Sequence, residues 1–169
     1  NKLIKEKDIL EIETARRIGT PMLNNALYDL KVYDVQNGVG LNSPYTGKDV
    51  IVGIADWGFD YTHPNLYDTL MNEYRVLAAW DQYRSGGNPP DSFSYGSLIE
   101  GKDALLNARC DTSNIYDSGY HATHVAGITG GGGAGTDFRG IAIDCKWICC
   151  SWLVDEASVM VGCTWMIDC

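Results

Sequence analysis

The sequence lacks any long uninterrupted run of apolar residues. Its longest apolar stretch covers residues 141–154 and is interrupted by Asp144 and Lys146, so it is too short to cross a bilayer as a helix. Residues 1–13 alternate charges with single apolar side chains and lack the continuous apolar centre of a signal peptide. We therefore expect no membrane span in this chain.

Basic residues are also scarce, because the chain has 13 Lys and Arg against 22 Asp and Glu and a net charge of -9. A surface that binds nucleic acid needs an excess of Lys and Arg to face the phosphates. We therefore expect no nucleic-acid partner. With 169 residues, 45% of them hydrophobic, the chain is long enough to bury the core of one ordinary domain.

A metal-binding signature is absent as well. Cys110 stands alone, and the other five cysteines lie at irregular spacing between residues 145 and 169, without the paired Cys-x-x-Cys of a zinc site. We expect no metal, no cofactor and thiols that are free or partly paired. Cys149 and Cys150 are neighbours on a predicted strand, so we expect them to face opposite sides of the sheet.

Strands and helices alternate along the predicted chain. Residues 50–55 form a continuous apolar run typical of a buried inner strand of a parallel sheet. Residues 121–129 have helical spacing, and the glycines at 130–133 end that helix. Further strands are predicted at 9–13, 140–143 and 147–154, and a last helix at 155–168 with Asp155 as N-cap and Val159, Cys163 and Met166 facing inward. This alternation predicts an α/β fold.

Two polar residues stand where such folds place their functional groups. Asp56 follows the predicted strand at 50–55, and ligands of open α/β sheets gather at the carboxyl ends of strands. His121 opens the helix at 121–129. Taken alone, Asp56 fits a turn cap as well as a functional group, and His121 fits a core histidine as well as a base.

The segments around both residues carry more information. Residues 47–66 read GKDVIVGIADWGFDYTHPNL, residues 121–127 read HATHVAG, and residues 138–142 read FRGIA. The first resembles the aspartate motif of subtilases, and the other two resemble their histidine motif and the chain that follows it. The resemblance implies an α/β, parallel-sheet, subtilisin-like fold, of which this chain is the N-terminal portion only.

The resemblance also implies serine-type endopeptidase activity on a peptide or protein substrate, with catalytic residues in the order Asp, His, Ser. Asp56 would orient the imidazole of His121 and stabilise its charged form, and His121 would take the proton of a serine hydroxyl. His63 and His124 match structural positions of the two motifs.

The resemblance divides the chain into regions. Residues 1–20 are similar in placement to the end of a subtilase propeptide, and residues 21–169 to the N-terminal half of the catalytic domain. Residues 67–119 are rich in Gly, Pro, Asn, Ser and Asp and resemble an insertion of clostridial and Bacteroidetes subtilases, with modest structure of its own. We therefore expect a bacterial enzyme that is secreted or held in the cell envelope.

The sequence also departs from the family pattern. Trp57 stands where Ser or Thr usually follows the aspartate, and Ala122 where Gly usually follows the histidine. The Gly-Thr-Ser-Met-Ala motif of the nucleophile and the Asn of the oxyanion hole do not occur in the 169 residues. Without both, acyl transfer loses its two largest contributions, so we expect the chain to be inactive alone and to need its own C-terminal half as partner.

Two alternatives remain open. The chain is compatible with a catalytically dead subtilase-like module that binds or regulates, because Trp57 and Ala122 alter the motifs. A thiol or metal protein is a third reading, which the irregular cysteine spacing disfavours.

The resemblance raises the question of calcium, which subtilases often bind through the position of Asn65 and a loop after the histidine helix. Here that loop is the glycine-rich segment 130–135 and has no carboxylate before Asp137. We expect no calcium there, because hard cations require several oxygen ligands.

Overall fold

The computed structural model of the chain describes residues 23–113, 120–152 and 156–169. In these ranges the helices are α1 (Leu23–Asp29), α2 (Val32–Gln36), α3 (Lys102–Ala108), α4 (His121–Gly130) and α5 (Glu156–Asp168), with a 3-10 turn at Pro64–Leu66. The strands are β1 (Ile51–Asp56), β2 (Val76–Asp81), β3 (Ser97–Glu100) and β4 (Lys146–Ser151). No helix of the described residues is long and apolar enough to span a membrane.

The strands form one sheet in the order β1-β4-β2-β3. β4 is parallel to both β1 and β2, and β3 is antiparallel to β2. The α/β class and the mostly parallel sheet are therefore confirmed. The register aligns Asp56, Ser151 and Asp81 across the carboxyl ends of three neighbouring strands.

β1 lies at the edge of the sheet that the described residues form. The prediction of an inner strand is therefore wrong for this part of the fold. At its start, Val50 is 50% exposed and Ile51 is 54% exposed, and among the described strands only β4 pairs with β1. An unpaired strand edge with exposed apolar residues needs another element to cover it, and the described strands do not provide one for β1.

Residues 67–119 contain more structure than the composition predicted. β2 lies inside the sheet between β4 and β3, and all of its residues except Leu77 are buried. The strand is only six residues long, ends in Asp81 and lies between segments rich in turn residues, which hid it from a pattern search. The expectation of modest structure is wrong here, and the assignment of 67–119 as an insertion stays a prediction.

Alternate residues of β4 contact separate cores on the two faces of the sheet. Trp147 and Cys149 pack in one core with Phe59, and Ile148 and Cys150 pack in the other. This confirms that Cys149 and Cys150 face opposite sides. Burial raises the pKa of both thiols, that of Cys150 to about 12, and the described cysteines form no disulfide.

α5 turns to the sheet a face that agrees only in part with the predicted one, because Met166 packs against the core as predicted. Its buried residues are Ser158, Gly162 and Trp165, whereas Cys163 is exposed. The ring of Trp165 meets that of Trp80 edge-on at 5.8 Å between centroids. Apolar residues occur all around this helix, so the sequence does not single out one face.

Two predicted strands and one cap have other outcomes. Residues 140–143 form a loop and no strand, because the N–H groups of Gly140, Ile141 and Ala142 bond to carbonyls at the end of α4. The predicted strand at 9–13 and the predicted N-cap Asp155 lie outside the described residues.

Candidate active site

Asp56 is the last residue of β1, and its side chain is largely buried at the carboxyl edge of the sheet. Its Oδ1 accepts a hydrogen bond of 2.8 Å from the N–H of Trp57. After Asp56 the chain leaves the sheet in a turn that contacts the start of α4. There the Ala122 N–H donates to the Trp57 carbonyl at 2.8 Å. The turn thus brings the first residue of α4 next to Asp56.

His121 is that first residue, and its Nδ1 lies 2.8 and 2.9 Å from the two carboxylate oxygens of Asp56. The predicted contact within hydrogen-bonding reach is confirmed, while the catalytic roles stay predictions. Nδ1 donates to the carboxylate, which leaves Nε2 as the basic nitrogen of the neutral ring. The His121 side chain is 57% exposed, and Nε2 bonds to none of the residues described.

Trp57 shapes the surface beside this pair. Its ring stacks on the His121 ring at 5.5 Å between centroids and 19° between planes, and it meets Trp152 edge-on at 5.6 Å. Ala122 is fully buried under the same turn. Both departures from the family pattern are therefore accommodated without breaking the contact between Asp56 and His121.

Sequence reasoning missed a buried carboxylate behind the pair. Asp111 is fully buried, and its Oδ2 accepts hydrogen bonds from the Gly58 N–H and the hydroxyls of Ser113 and Ser151. Gly58 is the residue after Trp57, and Ser151 is the register partner of Asp56. No local pattern marks Asp111, because two of its three partners, Gly58 and Ser151, are distant in the sequence.

The other two histidines lie outside this arrangement. The Nδ1 of His63 accepts the Asn65 N–H at 3.2 Å and caps the 3-10 turn. His124 is exposed on α4, and its side chain makes no hydrogen bond to the described residues. The structural role assigned to both histidines from the motifs stays a prediction.

Asn65 holds the glycine-rich loop after α4 by hydrogen bonds. Its Oδ1 accepts the Gly133 N–H at 2.9 Å, and its carbonyl accepts the Gly132 N–H at 3.0 Å. A Cβ at Gly132 would clash with the Tyr67 carbonyl oxygen, so only glycine fits this approach. Within the described ranges no three His, Cys, Asp or Glu side chains are grouped to hold a metal ion.

We expect calcium to leave the stability of this loop unchanged. The side-chain oxygen of Asn65 that would face a cation is already used by Gly133. Thermal unfolding should give the same midpoint in calcium and in chelator, and Asn65→Ala should lower stability by about 1–3 kcal/mol because the Gly133 N–H loses its acceptor. The exposed Asn72→Ala is the control, within about 0.5 kcal/mol of the unaltered chain. A midpoint that rises with added calcium would contradict this expectation.

Known proteins resemble this chain over most of its length. The family model Peptidase_S8, described as the subtilase family, matches residues 47–159. The PII-type proteinase of Lacticaseibacillus paracasei is 26% identical over 144 residues, which cover 79% of this chain and 7% of that protein. The solved structure of the CspB protease of Clostridium perfringens shares the fold, with a TM-score of 0.57 and 23% identity over 81% of this chain and 28% of that one. The chain thus spans less than a third of either relative.

Proposed function

Because this chain belongs to the subtilase family, we propose that it provides the aspartate and the histidine of a serine-type endopeptidase. The observation that carries the proposal is the contact between Asp56 and His121, in which Nδ1 is held by the carboxylate while the His121 side chain is 57% exposed. A base that is oriented on one side and open on the other is what a serine hydroxyl needs for activation.

The proton moves through His121 in this reaction. Nε2 takes the proton of the serine hydroxyl while its oxygen attacks the peptide carbonyl, and the same proton then goes to the leaving amine. Asp56 stabilises the imidazolium formed in between. Ser113 and Ser151 are not the nucleophile in this proposal, since both are buried and donate to Asp111.

A second polypeptide segment completes the site in this proposal. No strand of the described residues pairs with the outer side of β1, where Val50 and Ile51 are exposed, and the outer face of α5 exposes Met160 and Ile167 at 70% and 83%. An uncovered strand edge beside exposed apolar side chains is suited to a further strand and helix. We propose that the C-terminal half of the catalytic domain, with the nucleophile and the oxyanion donor, lies against this surface.

A catalytically dead binding module is the second candidate, and the stacking of Trp57 on His121 favours it. A large ring beside the imidazole narrows the space open to a substrate. This candidate predicts that the same surface binds its partner segment without hydrolysis.

Reading and expressing the coding sequence beyond Cys169 tests the proposal. A Gly-Thr-Ser motif is expected there, and the joined protein should hydrolyse fluorogenic peptides and label at that serine with a fluorophosphonate. The 169-residue chain alone should do neither, because water attack lacks the covalent intermediate that divides the barrier. A downstream half that folds onto this chain but carries no nucleophile would establish the dead module instead.

A further inference from the structure

The carboxylate of Asp111 is fully buried and concentrates its hydrogen bonds on one oxygen. Oδ2 accepts from the Gly58 N–H at 3.0 Å, the Ser113 hydroxyl at 2.7 Å and the Ser151 hydroxyl at 2.7 Å. These contacts join three separate parts of the chain that meet behind Asp56 and His121.

The bond to Gly58 acts on the turn between the two residues. Gly58 has φ +80°, a left-handed conformation that glycine adopts at little cost. Its carbonyl accepts from the Thr123 N–H at 3.3 Å and from the Thr123 hydroxyl at 3.0 Å. The Gly58 N–H also donates to the Ser113 hydroxyl at 2.9 Å, and that hydroxyl donates to Asp111. Asp111 therefore holds the Gly58 peptide both directly and through Ser113. Gly58 lies two residues after Asp56, and its partner Thr123 lies two residues after His121.

The bond to Ser151 acts on the neighbouring strand. Ser151 is the last residue of β4 and pairs in register with Asp56. Asp111 thus fixes the carboxyl ends of both β1 and β4 relative to the first turn of α4.

We propose that Asp111 is a positioning residue, which sets the distance and angle between the Asp56 carboxylate and the Nδ1 of His121. Its effect on the geometry follows from the contacts above, and its effect on hydrolysis rests on the proposed function. Oδ1 of Asp111 is buried without a hydrogen-bond partner in the described part of the chain. A half-paired buried carboxylate is costly to stability, a cost that a positioning role accounts for.

The Nδ1 proton resonance of His121 reports this geometry and needs no nucleophile. In the 169-residue chain, Asp111→Asn should weaken the bond to Gly58 and shift or broaden that resonance, and Ser151→Ala should do so to a smaller extent. Circular dichroism establishes that each variant is folded. If Asp111→Asn does not fold, Ser151→Ala carries the test.

Asp81→Asn is the matched control. Asp81 is a fully buried carboxylate at the end of β2, but it bonds to Thr112, Tyr83 and Arg84 and not to Gly58. Its loss should reduce stability and leave the His121 resonance in place. A folded Asp111→Asn, or in its absence Ser151→Ala, with an unaltered resonance would overturn the proposal.

Kinetics of the joined protein, which is this chain expressed together with the segment beyond Cys169, separate this proposal from the proposed function. Asp111→Asn should lower kcat by roughly 10-fold with little change in KM, because a misplaced base reduces the rate more than binding. Full activity of the folded variant would overturn the positioning role. A joined protein with no activity and a shifted His121 resonance would end the proposed function and leave the positioning role standing.

Discussion

His121→Ala is expected to abolish peptide hydrolysis by the joined peptidase, with a loss in kcat of roughly 10⁶-fold, as in the subtilisin catalytic unit. The loss is large because Nε2 is the proposed acceptor of the serine proton and no other side chain of the described residues bonds to Asp56. Asp56→Asn should cost roughly 10⁴-fold, since the amide no longer holds the tautomer that leaves Nε2 basic. Both values come from steady-state kinetics on one peptide.

His124→Ala is the matched control for this prediction. His124 lies one turn along α4 from His121, is exposed, and uses no side-chain hydrogen bond to the described residues. Its removal should leave kcat and stability close to those of the unaltered protein. If His121→Ala cleaved the peptide as fast as His124→Ala, the two motifs would be inherited parts of the fold and not the active site.

The parts of the fold that could be predicted are those with a local cause. The run at 50–55 and the glycines after Thr129 predict β1 and α4 to within one residue at each end. β2 was missed because its six residues are surrounded by turn-forming sequence, although the sheet buries it. The inward face of α5 was predicted correctly at Met166 but not at Cys163. Tertiary contacts with Trp80 and Cys150 select Gly162 and Trp165 instead, and no periodicity reveals them.

The same distinction holds for the site. Asp56 and His121 could be identified because each lies in a motif of contiguous residues. Asp111 could not, since it bonds to Gly58 across 53 positions and to Ser151 across 40. Trp57 was noted as a departure, but its stacking on His121 and its contact with Trp152 emerge only when β1, α4 and β4 are placed together.

Arg75 is expected to have the second largest effect, on folding stability. Its side chain is only 2% exposed, and its guanidinium donates to the carbonyls of Cys145 at 2.9 Å, Tyr67 at 2.9 Å and Gly130 at 2.7 Å. The same group lies 4.3 Å from the centroid of the Trp147 ring. Gly130 is the last residue of α4, where a positive charge complements the helix dipole and an unpaired carbonyl needs a donor.

Burial lowers the pKa of Arg75, and nearby acidic groups oppose that shift. The cost of burying this cation is offset mainly by carbonyl oxygens and by Trp147, since no carboxylate of the described residues forms a salt bridge with it. Removing the donor therefore leaves several buried carbonyls without a partner. Each such loss costs about 1–3 kcal/mol.

We therefore expect Arg75→Ala to lower the free energy of unfolding by about 3–6 kcal/mol in urea titrations, enough to unfold a marginal chain. Arg75→Lys should recover only part of this, because one ammonium cannot reproduce the planar fork that reaches separate carbonyls and stacks on Trp147. The control is Lys146→Ala, which removes a half-exposed cation paired with Glu73 at 3.1 Å and should cost no more than about 1 kcal/mol. Equal losses for Arg75→Ala and Lys146→Ala would show that the carbonyls find other donors, and that Arg75 does not hold the end of α4 against the sheet.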